Sequence, residues 1–153
     1  MIAGQERSVP IEINANNGLY TVTFTANGEY LLSGGDNVEV WRIQDSQRVA
    51  TMEARKVRCL AASKIDRWIA GGTFYGEVFV WDAETYKTVW KDGNRISGLK
   101  QGRANETVSF SPDSTRLVTV AYYTTTVWEI PHGKQTQTLA HPFAHSAIFS
   151  PSS

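Results

Sequence analysis

The residue types in this chain that could do chemistry are three histidines, one cysteine, a glycine-bounded loop and a short cationic cluster. His141 and His145 stand four apart, a spacing that on a helix would let both reach one metal ion. Pro142 lies between them and the surrounding pattern is that of strands, so in extended chain they fall about 13 Å apart. They and His132 read as solvated or turn histidines, with no metal. Cys59 has no Cys or His within local motif range and sits inside a strand-like run, which makes it a small packing residue rather than a nucleophile. The segment GNRISG at 93–98 is followed by Leu99 and Lys100, whereas a phosphate-binding loop needs Lys directly after the second Gly and then Ser or Thr. No nucleotide or other cofactor is expected there. No converging set of titratable groups emerges, so the sequence supplies no catalytic residue and the chain reads as a non-enzyme.

Lys91, Arg95, Lys100 and Arg103 face a single acid, Asp92, and are the only local basic feature. They define a candidate anion-binding or RNA-binding loop, set against the alternative of a solvated insertion. Globally, 15 basic and 15 acidic side chains cancel, so no long-range field draws nucleic acid or an anionic membrane. Binding through this loop would fall steeply with salt.

The elements that position these groups are strands. The chain has 153 residues, 41% apolar and 20% charged, which is globular composition. Five Trp with many Thr and Val favour strands, and essentially no helix is expected. The start carries Glu6 and Arg7 without an apolar run, and no window approaches the ~18 apolar residues of a membrane span. With a lone cysteine, this points to the cytoplasm or nucleus and to no membrane.

Internal repetition decides the fold class. Segment 21–35, TVTFTANGEYLLSGG, recurs at 59–72 as CLAASKIDRWIAGG and at 107–121 as TVSFSPDSTRLVTVA; a further start, AIFSP, stands at 147–151. Each full copy leads to a run ending in Trp, at Trp41, Trp81 and Trp128, spaced 40 and 47 residues apart. Tyr20, Val22 and Phe24 alternate with Thr21, Thr23 and Thr25, the period of a half-buried strand. Asn27-Gly28 and Pro112-Asp113-Ser114 supply tight reversals, and Gly34 to Asn37 the next turn. With a fourth run after each Trp, every copy is a four-stranded antiparallel meander.

These residues resemble the WD40 repeat, which carries a strand like Val-x-Phe-Ser-Pro-Asp-Gly, then Leu-x-Ser-Gly, and ends its third strand on Trp-Asp. Trp81-Asp82 keeps the pair; Trp41-Arg42 and Trp128-Glu129 keep the Trp alone. The Gly-His pair that opens the family's repeats is missing, so its His–Ser/Thr–Asp–Trp hydrogen-bond tetrad cannot form in full and cohesion must rest mainly on apolar packing. The resemblance implies an all-β, WD40-type propeller arc over 8–153, incomplete as a single chain. Its parts are a lone outer strand at 8–13, blades at 19–52, 57–91 and 106–139, an inserted loop at 92–105, and the first strand of a further blade at 144–150. Either a second copy of the chain completes the ring as a homodimer, or the sequence is a piece of a longer propeller.

The resemblance also implies function: a protein–protein interaction scaffold that takes proteins or peptides on the face bearing the inner-strand entries and the turns between second and third strands. By alignment that face holds Tyr20, Arg58, Glu106 and His145 at the entries, and Asp36, Phe74, Tyr75 and Tyr122 in the turns. The aromatic members either contact a partner or pack around the channel mouth.

Overall fold

The computed structural model describes residues 18–65, 67–93, 104–121, 124–140 and 144–151. All regular structure among them is strand. The first sheet holds β1 (Thr21–Phe24), β2 (Tyr30–Gly34), β3 (Val38–Arg42) and β4 (Gln47–Met52); the second holds β5 (Val57–Ala62), β6 (Trp68–Thr73), β7 (Val78–Asp82) and β8 (Thr88–Asp92); the third holds β9 (Asn105–Phe110), β10 (Arg116–Ala121), β11 (Thr124–Glu129) and β12 (Lys134–Ala140). Each is an antiparallel meander in chain order.

One turn design recurs. The hydroxyls of Thr25, Ser63 and Ser111 accept the backbone N–H of Tyr30, Trp68 and Arg116, five residues on, at 3.1, 2.9 and 2.9 Å. A hydroxyl in that place closes the first hairpin of each sheet and satisfies a donor that the reversal would otherwise strand. Gly28 and Ser114, at equivalent positions in the first and third hairpins, both take left-handed backbone, with φ of 71° and 60°. The turns after the third strands repeat in the same way, with Ser46, Tyr86 and Gly133 left-handed.

Alternation along the strands gives the middle sheet two apolar faces. Ile69, Phe79 and Trp81 point toward the first sheet and pack with Leu32, Val38, Val40, Met52 and Val57. Trp68, Ala70, Val78 and Val80 point toward the third and pack with Val108, Leu117, Trp128 and Ile130. The inner strands β1, β5 and β9 lie side by side, whereas the outer strands β4, β8 and β12 make no comparable approach, so the sheets splay around their inner strands. Gly34 and Gly72 permit that closeness. A Cβ on Gly34 would sit 2.6 Å from Thr21 and 3.0 Å from Val57, and one on Gly72 2.5 Å from Asn105.

Of the polar tetrad of WD40 repeats, the Trp–Ser/Thr pair has a counterpart in two of the three sheets. Trp41 donates to Ser33 Oγ at 2.9 Å and Trp128 to Thr119 Oγ1 at 3.0 Å. In the middle sheet Gly71 takes the corresponding place, so Trp81 lies over it and stacks on Phe79 at 5.2 Å.

The expected boundaries shift at three places. Asp92 and Asn105, assigned to an inserted loop at 92–105, are the ends of β8 and β9; Asn105 is held there because its side-chain amide donates to the Glu77 carbonyl at 2.9 Å. Residues 144–150, expected as a first strand, form no strand. They instead run beside the third sheet, with Thr107 donating to the His145 carbonyl at 2.8 Å and Arg116 5.3 Å from the Phe149 ring. The lone strand expected at 8–13 lies outside the described residues.

Candidate partner-binding face

The inner-strand entries and the turns between second and third strands gather at one end of the three sheets. The β2–β3 turn brings Asp36 to Lys56, just ahead of β5, in an ion pair of 2.8 Å. Lys56 is held by its own backbone: its carbonyl accepts the Phe74 N–H at 2.8 Å, and the next N–H, of Val57, donates to Gly35 O at 2.7 Å. The hydrogen bond to Asp36, its negative charge, and the nearby Tyr20 and Tyr75 side chains raise the Lys56 pKa. Lys56 therefore stays cationic at neutral pH and links the first sheet's β2–β3 turn to the second sheet's β6–β7 turn.

One strand further, Arg58 pairs with Glu106 at 3.8 Å and lies 5.9 Å from the centre of the Phe74 ring. Phe74 meets Tyr75 edge-on at 5.8 Å and 88°. Their turn is preorganised by buried Thr73, whose hydroxyl accepts the N–H groups of Tyr75 and Glu77 at 3.2 and 3.1 Å. Tyr20, Phe74 and Tyr75 each leave about half of their surface exposed. The face thus presents three aromatic side chains on fixed backbone, interleaved with two ion pairs of mixed exposure.

Of the eight residues expected on this face, Tyr20, Asp36, Arg58, Phe74, Tyr75 and Glu106 are joined by these contacts. His145 is at the same end, exposed, its carbonyl held by Thr107. Tyr122 lies outside the described residues. Sequence reading missed Lys56, which belongs to no repeat motif; its only signal was its place immediately before an inner-strand entry.

The basic loop is described only at Lys91, because Arg95, Lys100 and Arg103 lie outside the described residues. Lys91 pairs with Glu77 at 3.0 Å and lies 4.6 Å from the Phe79 ring centre. Cys59 is buried between the second and third sheets, 3.8 Å from the Gly72 carbonyl and 3.6 Å from that of Asn105. Burial pushes its thiol up to about 12, the reverse of what a nucleophile needs. Among the described residues no three His, Cys, Asp or Glu side chains gather as metal ligands, and no helix is long and apolar enough to cross a membrane.

No family model and no curated protein matches the chain. Solved structures do. The chain is similar to the structure of U3-55K, with a TM-score of 0.74 and 13% identity over 90% of this chain and 43% of that one. It is similar to the RRP9 WD40 repeats, with a TM-score of 0.72 and 13% identity over 86% of this chain and 41% of that one. It is also similar to Kuenenia stuttgartiensis hydrazine synthase, with a TM-score of 0.72 and 11% identity over 97% of this chain and 41% of that one. The chain spans about two-fifths of the length of these proteins. At such identities the likeness shows the fold: an arc of four-stranded blades of a WD40-type β-propeller. One of the three is named for an enzyme, so the fold alone does not decide catalysis.

Proposed function

We propose that this chain is a non-catalytic scaffold that holds other proteins or peptides on the end bearing Tyr20, Asp36, Lys56, Arg58, Phe74, Tyr75, Glu106 and His145. The observation that supports it is the clustering of half-exposed aromatic rings around Arg58 on turns whose backbone is fixed by Thr73 and Lys56. Aromatic and Arg side chains dominate binding energy at protein interfaces. Turns that are already ordered lose little conformational entropy on docking, so contact energy appears as affinity. Tyr122, outside the described residues, belongs to the same proposal because in sequence it falls between β10 and β11. A reducing compartment, cytoplasm or nucleus, suits the single buried thiol.

The alternative of RNA or anion binding through the 91–103 loop is weakened by Lys91, whose charge is already engaged by Glu77. The separating experiment is affinity purification with Arg58→Ala, Phe74→Ala and Tyr75→Ala combined, against Ile65→Ala in the exposed turn at the opposite end. Loss of the bound protein in the triple variant alone supports the reading. Equal loss in both variants, or retention in the triple variant, contradicts it.

A further inference from the structure

Lys56 stands between two turns of the binding face. Asp36 and Phe74 hold the same place in successive sheets, each two residues past a glycine, Gly34 or Gly72, that pairs with Thr21 or Cys59. Lys56 meets both. Its ammonium pairs with Asp36 at 2.8 Å, and its carbonyl accepts the Phe74 N–H at 2.8 Å. The Asp36 turn is itself closed, since Gly35 donates to the Asn37 carbonyl at 2.9 Å and accepts from buried Val57 at 2.7 Å. The Phe74–Tyr75 turn is thus held from within its own sheet by the Thr73 hydroxyl and from the first sheet through Lys56 and Asp36. Lys56 makes these contacts from an unfavoured backbone. Its φ is 55°, a left-handed conformation that glycine takes freely and a long side chain takes at a cost. In the first sheet the same place, three residues before Thr21 rather than before Cys59, is filled by Gly18 with φ of 78°. Such strain persists where the surroundings over-determine it. What Lys adds over Gly at this place is the ammonium on Asp36.

We propose that Lys56 is a positioning residue of the binding face: its ion pair with Asp36 restrains the Phe74–Tyr75 turn from the first sheet, so that the β2–β3 and β6–β7 turns present their side chains as one unit. The inference deepens the partner-binding reading and rests on it for its purpose, though not for its test. The side chains of the pair are 41% and 39% exposed, so its contribution is modest and sensitive to salt. A restraint of that size changes how often a turn opens rather than whether the protein folds. Fewer openings leave less ordering for a docking partner to impose, which is how a residue that touches no partner raises affinity.

Amide hydrogen exchange, followed residue by residue by NMR on the full chain, tests this without a partner. Asp36→Asn and Lys56→Gly are each expected to speed exchange at Phe74 and Tyr75 roughly two- to fivefold. Val80, in the core of the same sheet, should be unchanged in both, and Lys56→Arg should stay close to wild type. Lys56→Gly relieves the backbone strain, so a purely backbone role for residue 56 predicts slower or unchanged exchange at Phe74 in that variant. Salt at about 1 M, where screening acts within ~3 Å, should speed Phe74 exchange in the wild type and leave Asp36→Asn as it was. Unchanged Phe74 exchange in Asp36→Asn overturns the inference, as does acceleration that Val80 shares, or a Lys56→Arg variant that behaves like Lys56→Gly. Loss of the partner-binding reading would leave these rates as expected, whereas rates that do not move overturn the restraint and leave partner capture intact.

Discussion

The Trp90 indole of β8 packs directly on Gly133, the left-handed residue of the turn between β11 and β12, and tilts against Trp128 with ring centres 4.9 Å apart. This contact ties the outer rim of the second sheet to the third. A Cβ at Gly133 would fall within the indole, and the φ of 63° already disfavours any side chain. Gly133→Ala is therefore expected to destabilise the fold by roughly 2–4 kcal/mol, from backbone strain plus overpacking. Urea unfolding followed by Trp fluorescence measures this; a loss below about 0.5 kcal/mol, the scale of ordinary surface substitutions, would show that the rim contact is unimportant.

Ser114 offers the opposite case. It occupies the position that Gly28 fills in the first hairpin, takes φ of 60°, and is buried with its hydroxyl lacking a hydrogen-bond partner among the described residues. Ser114→Gly removes both the left-handed strain and the unpaired hydroxyl, at the cost of more freedom in the unfolded chain. A net gain of about 1 kcal/mol is expected from the same unfolding measurement.

Asp113, in that turn, is held at about 2 by the Ser111 hydroxyl and by the N–H and hydroxyl of Thr115. Its folded pKa is depressed, so its contribution is fully present above the unfolded carboxylate range and is lost as pH falls from about 4 through about 2. Thermal melting over that window should show a wild-type decline that Asp113→Asn flattens. Identical profiles would mean that the turn does not depend on the ionised carboxylate.

Cys59 carries the reverse sign at high pH. Its folded thiol is pushed up to about 12 by burial, so stability is unaffected below the unfolded thiol range and falls as pH rises from about 8.5 toward 12. At neutral pH the native chain is expected to resist thiol-specific labelling and to react fully in denaturant. Rapid labelling of folded protein would contradict the packing assigned to the interface between the second and third sheets.

Much of this arrangement was legible in the residues. The alternation at Val22 and Phe24, the reversals at Asn27-Gly28 and Pro112-Asp113-Ser114, and the recurring Trp pointed to the order of strands, because each is a local consequence of side-chain period and turn chemistry. The rest depends on contacts between sheets. Asn105 read as loop because its amide finds Glu77 only after the second sheet is folded. Lys91 read as a free cation because Glu77 is distant in sequence but adjacent across the β7–β8 ladder. Lys56 lay outside every repeat motif, and its role follows from the Asp36 turn and the Phe74 backbone meeting there.

The central claim, that partners dock on the end presenting Phe74, Tyr75 and Arg58, is tested most directly by site-specific photo-crosslinking in cells. A photoreactive residue replaces Tyr75 in one sample and Ile65, exposed at the opposite end of the same sheet, in another. Discrete adducts from position 75 that vanish with Arg58→Ala, and none from position 65, are the predicted result. Adducts from position 65 alone, or equally from both, would contradict the assignment of the binding face.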